Sequence, residues 1–185
     1  MDTRPTTPAD PTIAQESLQT VLLTIVTLVN AWLIYRVPWQ VSFDPCLVAA
    51  VAAAVTIVCL WITRWRGLRG VNFERNLLAL FLAGMPLVYV LRYLLSSRTG
   101  TPSFWAGAEL SGIPIFGAFA LLGLKRSPWF LAIGILAHGL AWDLWHYRTS
   151  TYIPDWYAIF CMAVDLALAT YVAARVPTYL RLLRI

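Results

Sequence analysis

The stretch "PWFLAIGILAHGLAWDLWHY", residues 128–147, decides how this chain is read. An α-helix rising 1.5 Å per residue needs roughly 20 predominantly apolar residues to cross a hydrocarbon core of ~30 Å, and this run has that length. It also carries His138, Asp143 and His146, and so holds both histidines of the chain. The length predicts a membrane-spanning helix. The polar residues predict that one side of it faces protein, because an ionisable group left alone in lipid is costly.

Working outward, the whole chain has this character. Of its 185 residues, 59% are hydrophobic and only 12% charged, with a mean hydropathy of +0.68. Soluble domains carry about 25% charged residues. Apolar runs of similar length fall near 17–35, 43–63, 76–96, 104–124, 128–147 and 155–174. They are separated by "RVPWQ", "RGLRG", "SSRTGTP", "KRSP" and "TSTYIP", where Pro, Gly and charge interrupt them. Long unbroken runs that must satisfy their own backbone hydrogen bonds in lipid read as helices rather than strands. The fold class predicted is all-α, an integral membrane bundle of about six transmembrane helices.

The domain reading follows. Residues 1–16, interrupted by Pro5, Pro8 and Pro11, read as a disordered tail. They do not read as a secretory signal, since Glu16 precedes the apolar run and no small-residue cleavage site follows. Residues 17–174 form the membrane domain, and 175–185, "RVPTYLRLLRI", a basic amphipathic tail suited to anionic lipid. No internal repeat is evident, which argues against an inverted-repeat transporter.

The net charge of +5 does not suggest nucleic acid, because the basic residues sit in short loops and form no stripe. They sort by side instead. With six spans, Arg4, Arg64, Arg66, Arg69, Arg75, Lys125, Arg126, Arg175, Arg181 and Arg184 fall on one side, and Arg36, Arg92, Arg98 and Arg148 on the other. Ten against four predicts an inner-membrane protein with both termini cytoplasmic and the lipid bilayer as its partner. Cys46, Cys59 and Cys161 are too few and too scattered for a disulfide framework or zinc ribbon, and read as free thiols.

That orientation fixes depths. His138 and Asp165 fall near the midplane. Asp143 and His146 fall near the outer boundary, with Arg92, Glu109 and Asp44 at similar heights. The inner halves of the spans hold few polar groups beyond hydroxyls. This asymmetry predicts a polar recess open to the outer face, centred on His138, Asp143, His146 and Asp165 as catalytic candidates, with Arg92, Glu109, Trp142, Tyr157 and Cys161 around it. At about 100° per residue, His138, Trp142, Trp145 and His146 share a stripe with Asp143 on its edge. Tyr157, Cys161 and Asp165 repeat at four-residue intervals on the next span. The short loop between the two spans places them antiparallel, so that His138 meets Asp165.

A histidine beside a carboxylate serves either as a general acid–base unit or as a metal ligand with its orienting partner. The H-x4-D-x2-H spacing leaves these open, and no cofactor is specified. Bland readings stand beside them. Trp142, Trp145 and Trp156 suit an interfacial aromatic belt with Asp143 and His146 at its level. Glu109 with Arg92 suits a fold-holding ion pair, and Asp44 an ordinary helix-start residue.

Residues 137–171, "AHGLAWDLWHYRTSTYIPDWYAIFCMAVDLALATY", resemble the C-terminal part of an uncharacterised group of small bacterial multi-pass membrane proteins. The shared pattern is a histidine, Trp-Asp, a histidine doublet, then a cysteine and an aspartate in the next span. It maps to His138, Trp142, Asp143, His146, Cys161 and Asp165, with Tyr147 in place of the doublet's second histidine. The group marks these residues and implies no activity. Three functions therefore compete: an enzyme or binding protein for a small or lipid-like molecule, an accessory subunit whose polar cluster is structural, and a proton-coupled transporter. The apolar inner halves weigh against the last.

Overall fold

A computed structural model describes residues 45–64, 67–96 and 104–183, and they are all-helical apart from short connections. Helix α1 is Pro45–Arg64, α2 Gly67–Ser96 and α3 Phe104–Lys125. Helix α4 runs Trp129–Ala137, passes through a π-turn at His138–Asp143 and ends as Leu144–Thr149. Helix α5 is Asp155–Leu183. The predicted span at 17–35, the N-terminal tail and Asp44 lie outside the described residues, as does the side chain of Cys46.

Three of the helical segments, Leu68–Ser96, Phe104–Lys125 and Asp155–Leu182, are long and apolar enough to cross a membrane. Their surfaces explain why a bilayer suits them. Leu80, Leu87, Leu91 and Leu94 of α2 and Leu110, Ile115 and Leu121 of α3 are exposed, while Leu78, Leu82, Phe116 and Ala120 of the same helices are buried. A helix apolar on both faces fits lipid outside and protein inside.

Helix α2 packs along α3, α1 against α5, and α4 against both α3 and α5. One apolar core joins Leu60, Leu78, Leu82, Leu131, Ile135, Leu168 and Val172. A second, richer in aromatics, joins Tyr89, Tyr93, Trp105, Tyr152, Ile153 and Ala158. Two glycines set how closely the helices approach around the polar residues. A Cβ at Gly112 of α3 would meet the Trp142 ring at 2.9 Å and Pro86 at 3.1 Å, so this glycine lets the indole seat between α2 and α3. A Cβ at Gly139 would meet Asp165 Cβ at 2.9 Å, so the π-turn rests directly on α5 there.

Helices α2 and α5 are longer than the sequence predicts: α2 begins nine residues before 76, and α5 continues nine beyond 174. The cause is a buried cluster between them. Glu74 is 0% exposed. Arg175 Nε and Nη2 donate to its Oε1 and Oε2 at 3.2 and 3.1 Å, and the Tyr179 hydroxyl donates to Oε1 at 2.8 Å. The Tyr171 hydroxyl adds a further bond to Oε1 at 2.5 Å. The charges that suggest span ends neutralise each other, and both helices run on. The segment after 174 expected as a separate tail therefore continues α5 through Pro177. A second buried polar cluster thus lies fifteen residues, roughly 22 Å, from Tyr89 along α2.

Candidate functional site

The centre forms where the π-turn meets α2 and α5. In an α-helix, residues five apart point about 140° away from each other, which would turn Asp143 from His138. A π-turn closes i to i+5 and stacks them. Here His138 Nδ1 lies 3.4 Å from Asp143 Oδ1 and donates to Asp165 Oδ2 of α5 at 2.8 Å. The Tyr89 hydroxyl of α2 donates to Asp143 Oδ1 at 2.6 Å. Helix α5 adds Tyr157, whose ring lies 6.1 Å from that of Tyr89, and Cys161, whose thiol lies against both hydroxyls. Tyr157, Cys161 and Asp165 thus share a face, and that face meets the centre.

One turn further along α4 lies a second group. His146 Nδ1 faces the Trp142 carbonyl at 2.8 Å and must carry a proton, since a carbonyl only accepts. His146 Nε2 meets Glu109 Oε1 of α3 at 2.6 Å. The Tyr152 hydroxyl also donates to that oxygen. Tyr152 sits in the α4–α5 loop, where burial first and then the bond to Glu109 hold its proton far above the ordinary phenol range, so it stays a donor. One proton lies between Nε2 and Oε1, so the His146–Glu109 pair carries no net charge whichever atom holds it. Arg92 enters through the same tyrosine, its Nε donating to the Tyr152 carbonyl at 3.1 Å. Glu109 thus pairs with His146 and Tyr152, and the expected Glu109–Arg92 relation runs through Tyr152. Trp142 and Trp145 pack on His146, with ring centroids 5.4 and 5.1 Å away.

All four catalytic candidates are brought together, in two subgroups bridged by Tyr89, whose ring is 4.4 Å from His146 and 5.9 Å from His138. The centre is buried and not open as expected. His138, Asp143, His146, Asp165 and Glu109 are each 0–2% exposed.

The pairing is nevertheless incomplete. His138 Nε2, Asp143 Oδ2, Trp142 Nε1 and Glu109 Oε2 are buried with no hydrogen-bond partner. Buried polar atoms are ordinarily partnered, and each exception calls for an unseen water, an ion or a function. Glu74 provides the comparison within the same molecule, because both of its oxygens are occupied. Two nitrogens of Arg75 are the remaining orphans among the described residues, while its Nη2 donates to the Leu124 carbonyl at the end of α3.

Sequence reasoning missed Tyr89, Tyr152 and the Glu74 cluster. The first two carry no signal among the chain's sixteen tyrosines and phenylalanines. Tyr171, Arg175 and Tyr179 did carry one, a four-residue polar repeat running beyond the predicted end of the last span.

No protein-family profile, curated protein or solved structure matches this chain.

Proposed function

We propose that the chain is a six-helix inner-membrane protein, both termini cytoplasmic, that binds a small or lipid-like polar molecule at the His138–Asp143–Asp165–His146 centre, with chemistry at His138. The observation that carries this reading is the set of four unpartnered atoms. A cluster serving only to lock the bundle gains nothing by leaving an imidazole nitrogen, two carboxylate oxygens and an indole N–H unsatisfied, each costing roughly 1–3 kcal/mol. A ligand with donors and acceptors satisfies them. His138, held through Nδ1 on Asp165, would present Nε2 to it, and the resemblance of residues 137–171 to a group sharing these positions fits a common site.

Comparative unfolding in detergent tests the proposal. Asp143→Asn and Trp142→Phe are expected to leave the unfolding midpoint of the ligand-free protein unchanged or raised, because a site kept for binding is not optimised for stability. Glu74→Gln, which strands a buried arginine, is expected to lower it. A fall with Asp143→Asn and Trp142→Phe as large as with Glu74→Gln would establish the accessory-subunit reading instead.

A further inference from the structure

We propose that His138, Asp143 and Asp165 hold a divalent first-row transition-metal ion, through His138 Nδ1 and one oxygen of each aspartate. The inference rests on the centre being a binding site and names its cofactor.

Geometry is the first support. Among the described residues, these three place one donor atom each within 4.8 Å of one another, and all three are buried. Ligands about 2.1 Å from a metal at tetrahedral to octahedral angles lie roughly 3.0–3.5 Å apart. His138 Nδ1 stands 3.4 Å from Asp143 Oδ1 and 2.8 Å from Asp165 Oδ2, so the first pair already has the spacing of two ligands on one metal and the second must widen by roughly 0.2 Å. The donors come from two helices fixed against each other at Gly139, where no side chain intervenes.

Charge balance is the second. The His146–Glu109 pair cancels internally, and Glu74 is answered by Arg175. The remaining group has two carboxylates and one imidazole, and without a cation it becomes neutral only by taking up two protons, one on the imidazole and one on a carboxyl. Isolated charge there is costly. A divalent cation with neutral His138 and two carboxylates sums to zero.

The third is an independent orphan. Asp143 is 0% exposed, its Oδ1 is held by Tyr89, and the other oxygen of the same carboxylate, Oδ2, has no partner. A nitrogen donor among two carboxylates favours zinc, iron, cobalt or manganese over magnesium or calcium, which prefer oxygen shells. His138 Nε2, Trp142 Nε1 and Glu109 Oε2 would then remain for the bound molecule.

The test uses the full chain, purified without a histidine tag, stripped with chelator and titrated with cobalt(II). The expected result is visible d–d absorption that saturates at one equivalent, disappears when zinc is added, and is accompanied by a zinc-induced rise in unfolding midpoint. His138→Gln and Asp143→Asn should weaken cobalt binding by more than about tenfold, whereas Tyr147→Phe, on the exposed face of α4, should not. A folded wild-type protein giving neither absorption nor a zinc-induced shift overturns the cation. If Asp143→Asn and Trp142→Phe then remain as stable as wild type, the binding-site reading survives that failure. If Asp143→Asn unfolds as readily as Glu74→Gln, both fall together.

Discussion

His138 and Asp143 are five residues apart on one helix, yet their side chains meet at 3.4 Å because the turn between them is a π-turn. A single widened turn therefore does what the α-helical repeat cannot, stacking a carboxylate under an imidazole while Trp145 and His146 keep their place on the buried side. Such turns recur at functional sites, and here the turn spans the residues His138–Asp143 themselves.

The close approach at Gly139 makes a direct prediction. Gly139→Ala sets a Cβ 2.9 Å from Asp165 Cβ. Overpacking of this kind costs about 1–3 kcal/mol. The unfolding midpoint in detergent should fall, and cobalt binding should weaken as α5 is pushed from the π-turn. An unchanged midpoint would mean that the helices are not in contact there.

Tyr152→Phe removes one of the two donors on Glu109 Oε1. The expected loss is about 1–3 kcal/mol, read from denaturant unfolding. Tyr147→Phe, on an exposed ring, should stay within about 0.5 kcal/mol. Equal effects at the two positions would contradict the buried bond.

Breaking the Glu74–Arg175 pair from one side leaves an uncompensated charge, which costs about 3–5 kcal/mol. Glu74→Gln and Arg175→Met should each fall by that order, and the double variant by clearly less than their sum. Additive losses would show that the two residues do not stabilise each other.

Orientation is tested by alkaline phosphatase, which is active only outside the cytoplasm. A fusion after Ile185 should be inactive and a fusion truncated after Thr151 active. The reverse pattern would invert the proposed topology.

What was legible in the sequence was what depends on composition and simple periods. The apolar runs from 43 onward located the described helices, and depth together with a short loop located the His138–Asp165 meeting, because both depend only on counting residues. The relation between His138 and Asp143 was hidden, since a 3.6-residue period places Asp143 at the edge of the stripe and a π-turn has no sequence mark here. Arg175 reads as a tail charge, and Glu74 lies before the predicted span start at 76. In isolation each looks like a span boundary, and only their pairing across α2 and α5 reveals that the helices continue past them. The closure of the centre was equally illegible, because it depends on rings from α2, α3 and the α4–α5 loop packing around His146.

A high-resolution experimental density map of the purified protein distinguishes an occupied centre from an empty one. Non-protein density is expected at the centre, within bonding distance of His138, Asp143 and Asp165 and reaching Trp142 Nε1. A clear map with nothing there, in which His138 Nε2, Asp143 Oδ2, Trp142 Nε1 and Glu109 Oε2 have rotated to bond one another, would contradict it.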